Sequence, residues 1–248
     1  MATENSYIDA FITIGRTNRA LKDCPRSASD VLHLMDTYGI SEAMVAHTVS
    51  LDGDSELGNT AIDNINNGRL HKLWVFDPSI TIKETPSEFL KRALSKNVKG
   101  IVVSSALSGI NINYSPRLAE LALTLQERKI PLFFIYDQFY ELAQFCQKFP
   151  ELPVIARDWR TRSNRPLFDA LAMTTNLRIT IASLWQAQIL SEISTVFSSK
   201  RLVFSLGQPY LDPRASITAL RYSMITPEQK ADISIENMRH ILSEANYV

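Results

Sequence analysis

Glycine is scarce in this chain, 8 residues in 248, and none of it forms a GxGxxG or Walker arrangement. That excludes the glycine-rich phosphate cradles of dinucleotide-binding and P-loop proteins, and no cofactor is expected. Cysteine is scarcer still. Cys24 and Cys146 stand far apart and make neither a CxxC pair nor a disulfide framework. Charge of either sign is not in excess: 26 basic residues balance 26 acidic ones. No net field therefore draws the chain to nucleic acid or to an anionic membrane. No apolar run is long enough to span a bilayer. The start, Met1-Ala-Thr-Glu-Asn-Ser6, lacks the basic segment and apolar stretch of a signal peptide. The expected location is the cytoplasm. There is no internal repeat and no low-complexity segment.

What is present is an alternation. Eight short apolar runs rich in Val, Ile and Phe read as strands buried on both faces. They are Tyr7–Ile14, Ala43–Ala46, Leu73–Phe76, Ile101–Val103, Leu132–Tyr136, Val154–Ala156, Leu177–Ala182 and Leu202–Phe204. Amphipathic helices lie between them, with apolar residues at helical spacing: Val31, Leu34, Met35 and Tyr38; Leu118, Leu121, Ala122 and Leu125; Phe139, Leu142, Ala143 and Cys146; Met238, Ile241, Leu242 and Ala245. Thr85-Pro86-Ser87-Glu88 and Thr226-Pro227-Glu228-Gln229 are capping boxes with proline at the first helical position. Ser115-Pro116 and Asp212-Pro213 are simpler starts of the same kind. Eight βα units without a composition break predict one α/β domain over residues 1–248, a single (β/α)8 TIM barrel. An open doubly wound sheet is the alternative, with no Gly-rich loop to support it. Helix-to-strand connections are short, whereas those after the early strands are long: Gly15–Ala28, Thr48–Leu57, Asp77–Glu84 and Ser104–Tyr114. In a barrel these line the C-terminal face, where sites are built.

Several stretches resemble one known family. Ile8-Asp9-Ala10-Phe11-Ile12-Thr13-Ile14-Gly15 is similar to the Ile-Asp-x-His-x-His-x-Gly first strand of the amidohydrolase superfamily. Arg201-Leu-Val-Phe-Ser-Leu-Gly207-Gln-Pro-Tyr-Leu-Asp-Pro213 resembles its last strand, usually Phe-Gly-Ser-Asp-x-Pro. Leu57-Gly58-Asn59, Arg69-Leu70, Leu73-Trp74-Val75 and the tail Ile235–Leu242 resemble its amidohydrolase-related, TIM-barrel metal-dependent hydrolase subgroup. The resemblance covers nearly the whole chain and implies a barrel hydrolase with a metal centre. Its ligand positions, however, carry other residues. The two first-strand histidines fall on Phe11 and Thr13, the sixth-strand histidine near Arg157, and the eighth-strand aspartate on Gly207; no histidine stands near Tyr136-Asp137. Phe and Gly cannot ligate and Arg repels a cation, so no metal is expected at that position.

The strand ends supply the candidate site. His47, in Val45-Ala46-His47-Thr48, ends the second run. It reads either as a proton-transfer group or as a structural histidine bonding loop backbone. Asp137 and Asp158 end the fifth and sixth runs and could divide acid and base roles with it. The plainer alternative is that they cap a helix and pair with an arginine. Arg157-Asp-Trp-Arg-Thr-Arg-Ser-Asn-Arg165 holds four arginines. Arg157, nearest the strand, is the candidate for gripping a carboxylate or phosphate, with Trp159 to stack on a planar ligand. The alternative is a solvated, salt-bridged loop or a subunit contact. Ser183, Trp185 and Gln208, with Ser104, Ser105 and Ser205, could orient a ligand. No serine has a nucleophile-elbow sequence.

The expected function is therefore an amidohydrolase-like barrel without the standard metal centre, silent in catalysis or binding a small polar or anionic molecule. The alternative is a metal-independent hydrolase or lyase acting through His47 and Asp137 or Asp158. A structural subunit is the third reading. No nucleic-acid or membrane partner is expected, and a homodimer stays open, since barrels of this class often dimerise.

Overall fold

The computed structural model describes residues 6–17, 24–78, 84–104, 111–136, 138–157, 165–184 and 187–248. Eight parallel strands run in sequence order around a barrel. They are β1 Tyr7–Ile14, β2 Ile40–His47, β3 Leu70–Val75, β4 Val98–Ser104, β5 Leu132–Ile135, β6 Val154–Arg157, β7 Leu177–Thr180 and β8 Leu202–Val203. The α-helices around them are α1 Ala28–Tyr38, α2 Thr48–Asp52, α3 Ser55–Ala61, α4 Pro86–Ser95, α5 Pro116–Glu127, α6 Phe139–Lys148, α7 Arg165–Met173, α8 Ala187–Ile193, α9 Pro213–Tyr222, α10 Pro227–Ala231 and α11 Asn237–Glu244. No helix among the described residues is long and apolar enough to cross a membrane.

The strands form because their side chains serve two cores at once. Odd-numbered residues of β2, β3 and β5 to β8 alternate with even-numbered ones between an outer cluster under the helices and an inner cluster filling the barrel. Phe11, Met44, Leu73, Val102, Phe133, Ile155 and Val203 fill the interior, so the barrel is packed rather than hollow. Met238 and Ile241 of α11 join that inner cluster and close its floor.

Caps set the helix starts as the sequence predicts. Thr85 and Thr226 each complete a capping box, and Ser115 accepts from the Leu118 amide. Ser27 and Asp30 make a further capping box, without a proline at the first helical position. Helix α4 then buries Phe89, Leu90 and Ala93 and exposes its opposite face. Each large apolar side chain buried this way contributes about 1.5–3 kcal/mol, so Phe89→Ala is the single change that would loosen this helix most.

Polar side chains hold the barrel where the ladder gives out. β8 is two residues long. Beyond it Asp9 bridges the seam, its Oδ1 accepting from the Phe11 amide at 2.9 Å and its Oδ2 from the Leu206 amide at 3.0 Å. The Ala10 amide donates to the Phe204 carbonyl at 2.9 Å, and the Tyr7 and Phe204 rings stack at 4.4 Å. Asn59 does the same service for β3. Its Nδ2 donates to the Val75 carbonyl at 2.9 Å and its Oδ1 accepts from the Val75 amide at 2.8 Å. The β2–β3 ladder has ended before Val75, so the asparagine amide stands in for a strand neighbour. Gly58 allows the approach: a Cβ there would lie 2.1 Å from the Ser50 amide nitrogen.

The connection read as a loop over Thr48–Leu57 is instead largely helical, with α2 beginning directly after β2. The seventh run ends sooner than its apolar residues suggest: Ile181–Ser183 is a 3-10 turn.

Candidate functional site

Strand parity decides what faces the mouth of the barrel. Phe11, Val102, Phe133, Ile155 and Val203 belong to the inner cluster. Side chains alternate along a strand, so Thr13, Ser104, Ile135, Arg157 and Ser205, two residues further on, also take the inner side. Thr180 pairs with Val203 and joins them.

Arg157 is the centre of this layer. It is 2% exposed at the end of β6. Its guanidinium carbon lies 4.6 Å from the Phe11 ring centroid and 5.8 Å from that of Tyr210. Nη2 donates to the Gln208 carbonyl at 2.9 Å. Burial pushes its pKa down to about 10, against the opposing pull of Asp9 and Tyr210, so the side chain stays charged at neutral pH. Asp9 is fully buried beside it, and burial holds its carboxyl above the usual range. The Leu206 and Phe11 amides, the Ser205 hydroxyl and Arg157 oppose that shift.

Four buried polar atoms in this region have no hydrogen-bond partner among the described residues: Thr13 Oγ1, Arg157 Nε, Thr180 Oγ1 and Gln208 Oε1. They come from β6, β7, the segment after β8 and, across the seam closed by the Ala10–Phe204 and Leu206–Asp9 hydrogen bonds, β1. Buried polar atoms are nearly always paired, so such a cluster marks a place that a ligand or ordered water completes.

Gly207 has φ +74°, a conformation that residues with a Cβ adopt at a cost. A Cβ there would lie 2.7 Å from Leu211 Cδ1 and 3.0 Å from Ala182 Cβ. The glycine where the resemblance puts an aspartate is thus built into the backbone path and the packing around it.

His47 sits elsewhere. It pairs in register with Ile14, an outer-cluster residue, so its side chain leaves the barrel on the outer side. Its Nδ1 accepts from the Val49 amide at 3.2 Å, capping α2. Burial alone lowers its pKa, and among the described residues no carboxylate bonds it. Asp137, Asp158, Trp159 and Trp185 lie outside the described residues, as do the side chain of Ser183 and all of Ser105. The structure thus brings together Arg157 and Gln208 among the expected site residues. It adds Asp9, Thr13 and Thr180: Thr13 and Thr180 stand at strand ends, and Asp9 and Thr13 lie in the first-strand stretch that carries the resemblance.

The residues at the metal positions of the resemblance do not fit a metal. Phe11 offers a ring face already against a guanidinium, Thr13 a neutral hydroxyl, Arg157 a cation and Gly207 no side chain. The carboxylate that Arg157 feels, Asp9, has both oxygens engaged by backbone amides. A hydrolytic site needs about three His or carboxylate ligands. Among the described residues no group of three His, Cys, Asp or Glu side chains could hold an ion.

No protein-family model matches the chain, and no curated protein matches it in sequence. Solved structures do match in fold. A dihydroxybenzoic acid decarboxylase from Polaromonas sp. JS666, with bound manganese and the inhibitor 2-nitroresorcinol, superposes with a TM-score of 0.72 at 12% identity over 96% of each chain. Amidohydrolase 2 from Bifidobacterium longum subsp. infantis gives 0.68 at 13% identity, over 96% of this chain and 99% of its own. A probable 2-pyrone-4,6-dicarboxylic acid hydrolase from Acinetobacter baumannii, with citric acid bound, gives 0.72 at 9% identity, over 97% of this chain and 100% of its own. At these identities the likeness is one of fold, and it is to barrels of the kind the sequence resembles.

Proposed function

We propose that this chain is an amidohydrolase-type barrel that binds a small carboxylate at its mouth without a metal at the superfamily position. The observation that carries the reading is the Nε of the fully buried Arg157, without a partner among the described residues, together with the Thr13, Thr180 and Gln208 oxygens, which also have none there. A guanidinium is a fixed cation with a planar fork, suited to a carboxylate. In a site shielded from water its attraction for an anion is stronger than at a surface. Hydroxyl and amide oxygens beside it suit ligand hydroxyls. Two of the fold neighbours support the ligand class: one is a decarboxylase of a hydroxylated benzoic acid and one holds citric acid. Catalysis of the metal-dependent kind is not part of this reading, because the donor set does not fit the ion.

The test is a thermal-shift screen of small mono- and dicarboxylates, with and without hydroxyl groups. A ligand at a hundredfold excess over its Kd stabilises the folded form by about 2.7 kcal/mol. For a chain of this length that is a rise in Tm of about 5–10 °C. Arg157→Met should abolish the rise, while Arg178→Met, on the opposite face of the barrel, should keep it. A wild type that no carboxylate stabilises, or an Arg157→Met variant that responds equally, would refute the proposal.

A further inference from the structure

On the face opposite the mouth, a cavity of about 300 Å³ opens between the strand starts and the closing helix α11. Its polar lining includes Lys129, Glu151, Asn176, Arg178, His240 and Glu244. Arg178 enters from β7 between Leu177 and Ile179, both outer-cluster residues, so it takes the inner side of the wall. Burial lowers its pKa, and no acidic neighbour offsets that effect. Its one hydrogen bond among the described residues is long, from Nη1 to the Asn176 carbonyl at 3.4 Å.

The groups around it are already engaged. Asn176 Nδ2 donates to the Phe149 and Leu152 carbonyls at 2.8 and 2.9 Å. Glu244 pairs with Lys129 at 2.9 Å, and Glu151 acts on the same lysine. The buried cation nearby, Arg201, feels Arg178 as a like charge. It is held by the Leu177 and Thr174 carbonyls, each at 2.7 Å. Buried charges are ordinarily paired. Arg178 is half-buried and faces this cavity, whose two carboxylates, Glu151 and Glu244, both act on Lys129 rather than on its guanidinium.

We propose that this cavity is a second binding site, for a small oxyanion of the phosphate or carboxylate kind, gripped by Arg178 with Lys129 and His240 at the rim. An anion there bridges β7 to α11 and tightens the closing helix onto the barrel floor. The site is separate from the one at the mouth and shares no residue with it.

The test uses the full chain and a local probe. The His240 imidazole resonance, assigned as the one lost in His240→Gln, is followed by proton NMR at about pH 8, where an ordinary imidazole is neutral. Inorganic phosphate and malonate are titrated separately at constant ionic strength. The expected result is a saturable His240 shift in wild type and in Arg157→Met, weakened about tenfold to a hundredfold in Arg178→Met. The anion giving the lower Kd identifies the class. Where Arg178→Met does not fold, the exposed Lys129→Met decides, with affinity expected to fall about fivefold. No saturable shift with either anion, or affinity unchanged in the decisive variant, overturns the proposal.

Discussion

A methyl group placed on Gly207 meets two obstacles at once. The backbone there has φ +74°, and an alanine held in that region costs about 1–2 kcal/mol relative to glycine. Its Cβ would also lie 2.7 Å from Leu211 Cδ1, 3.0 Å from Ala182 Cβ and 3.1 Å from Leu211 Cβ. Leu211 can swing its terminal methyl aside, but the two Cβ contacts belong to the backbone frame. Overpacking of this size costs about 1–3 kcal/mol. Gly207→Ala should therefore lose about 2–5 kcal/mol, read as a lower urea midpoint at unchanged m. For this chain length the matching fall in Tm is about 4–20 °C. Leu211→Ala in the same background removes the 2.7 Å contact and should recover part of the loss, so the double-mutant cycle gives a favourable coupling. A loss below about 0.5 kcal/mol, the range of an ordinary surface change, would refute the reasoning. The consequence for function is direct. An aspartate at this position, where the resemblance would put one, asks for the same conformation and more room, so Gly207→Asp should be destabilised too.

Three further outcomes follow from the same geometry. Asn59→Leu strands the Val75 amide and carbonyl, and should lower stability by about 2–4 kcal/mol in urea unfolding; a change under about 1 kcal/mol would mean that Asn59 does not hold β3. Burial sets the His47 pKa below its unfolded value of about 6.5. The unfolded chain then binds that proton more readily, so this group makes stability fall as pH drops through and below about 6.5. The urea midpoint of His47→Gln should decline less from about pH 7.5 to 5.5 than that of wild type, and equal declines would contradict the assignment. Arg157→Met should abolish the thermal response to carboxylates while Arg178→Met preserves it, as set out above.

The barrel was legible because its strands are apolar on both faces. Tyr7–Ile14 was read to the residue. The starts of β2 and β3 were not, because Ser41, Glu42 and His71 are half-exposed polar residues at the open lower rim. Proline with Thr, Ser or Asp before it marked four helix starts, since that chemistry is local to four residues. The seam, by contrast, was invisible. Asp9 reaches Leu206, 197 residues away, and Asn59 reaches Val75; neither contact leaves a periodic trace. The Gly58-Asn59 pair, noticed for its resemblance, is a packing device. At the mouth, strand-end position found Arg157 and Gln208, which meet through a backbone carbonyl. Position alone also nominated His47. Register sends that side chain outward, and one residue of register is what a sequence does not display.

The most direct test of the central claim is elemental analysis of the purified, unchelated protein per mole of chain. With Phe11, Thr13, Arg157 and Gly207 at the ligand positions, the account predicts no stoichiometric transition metal. About one equivalent of zinc, manganese or iron, lost together with stability in Arg157→Met, would contradict it and would mean that a metal is bound where a guanidinium has been placed.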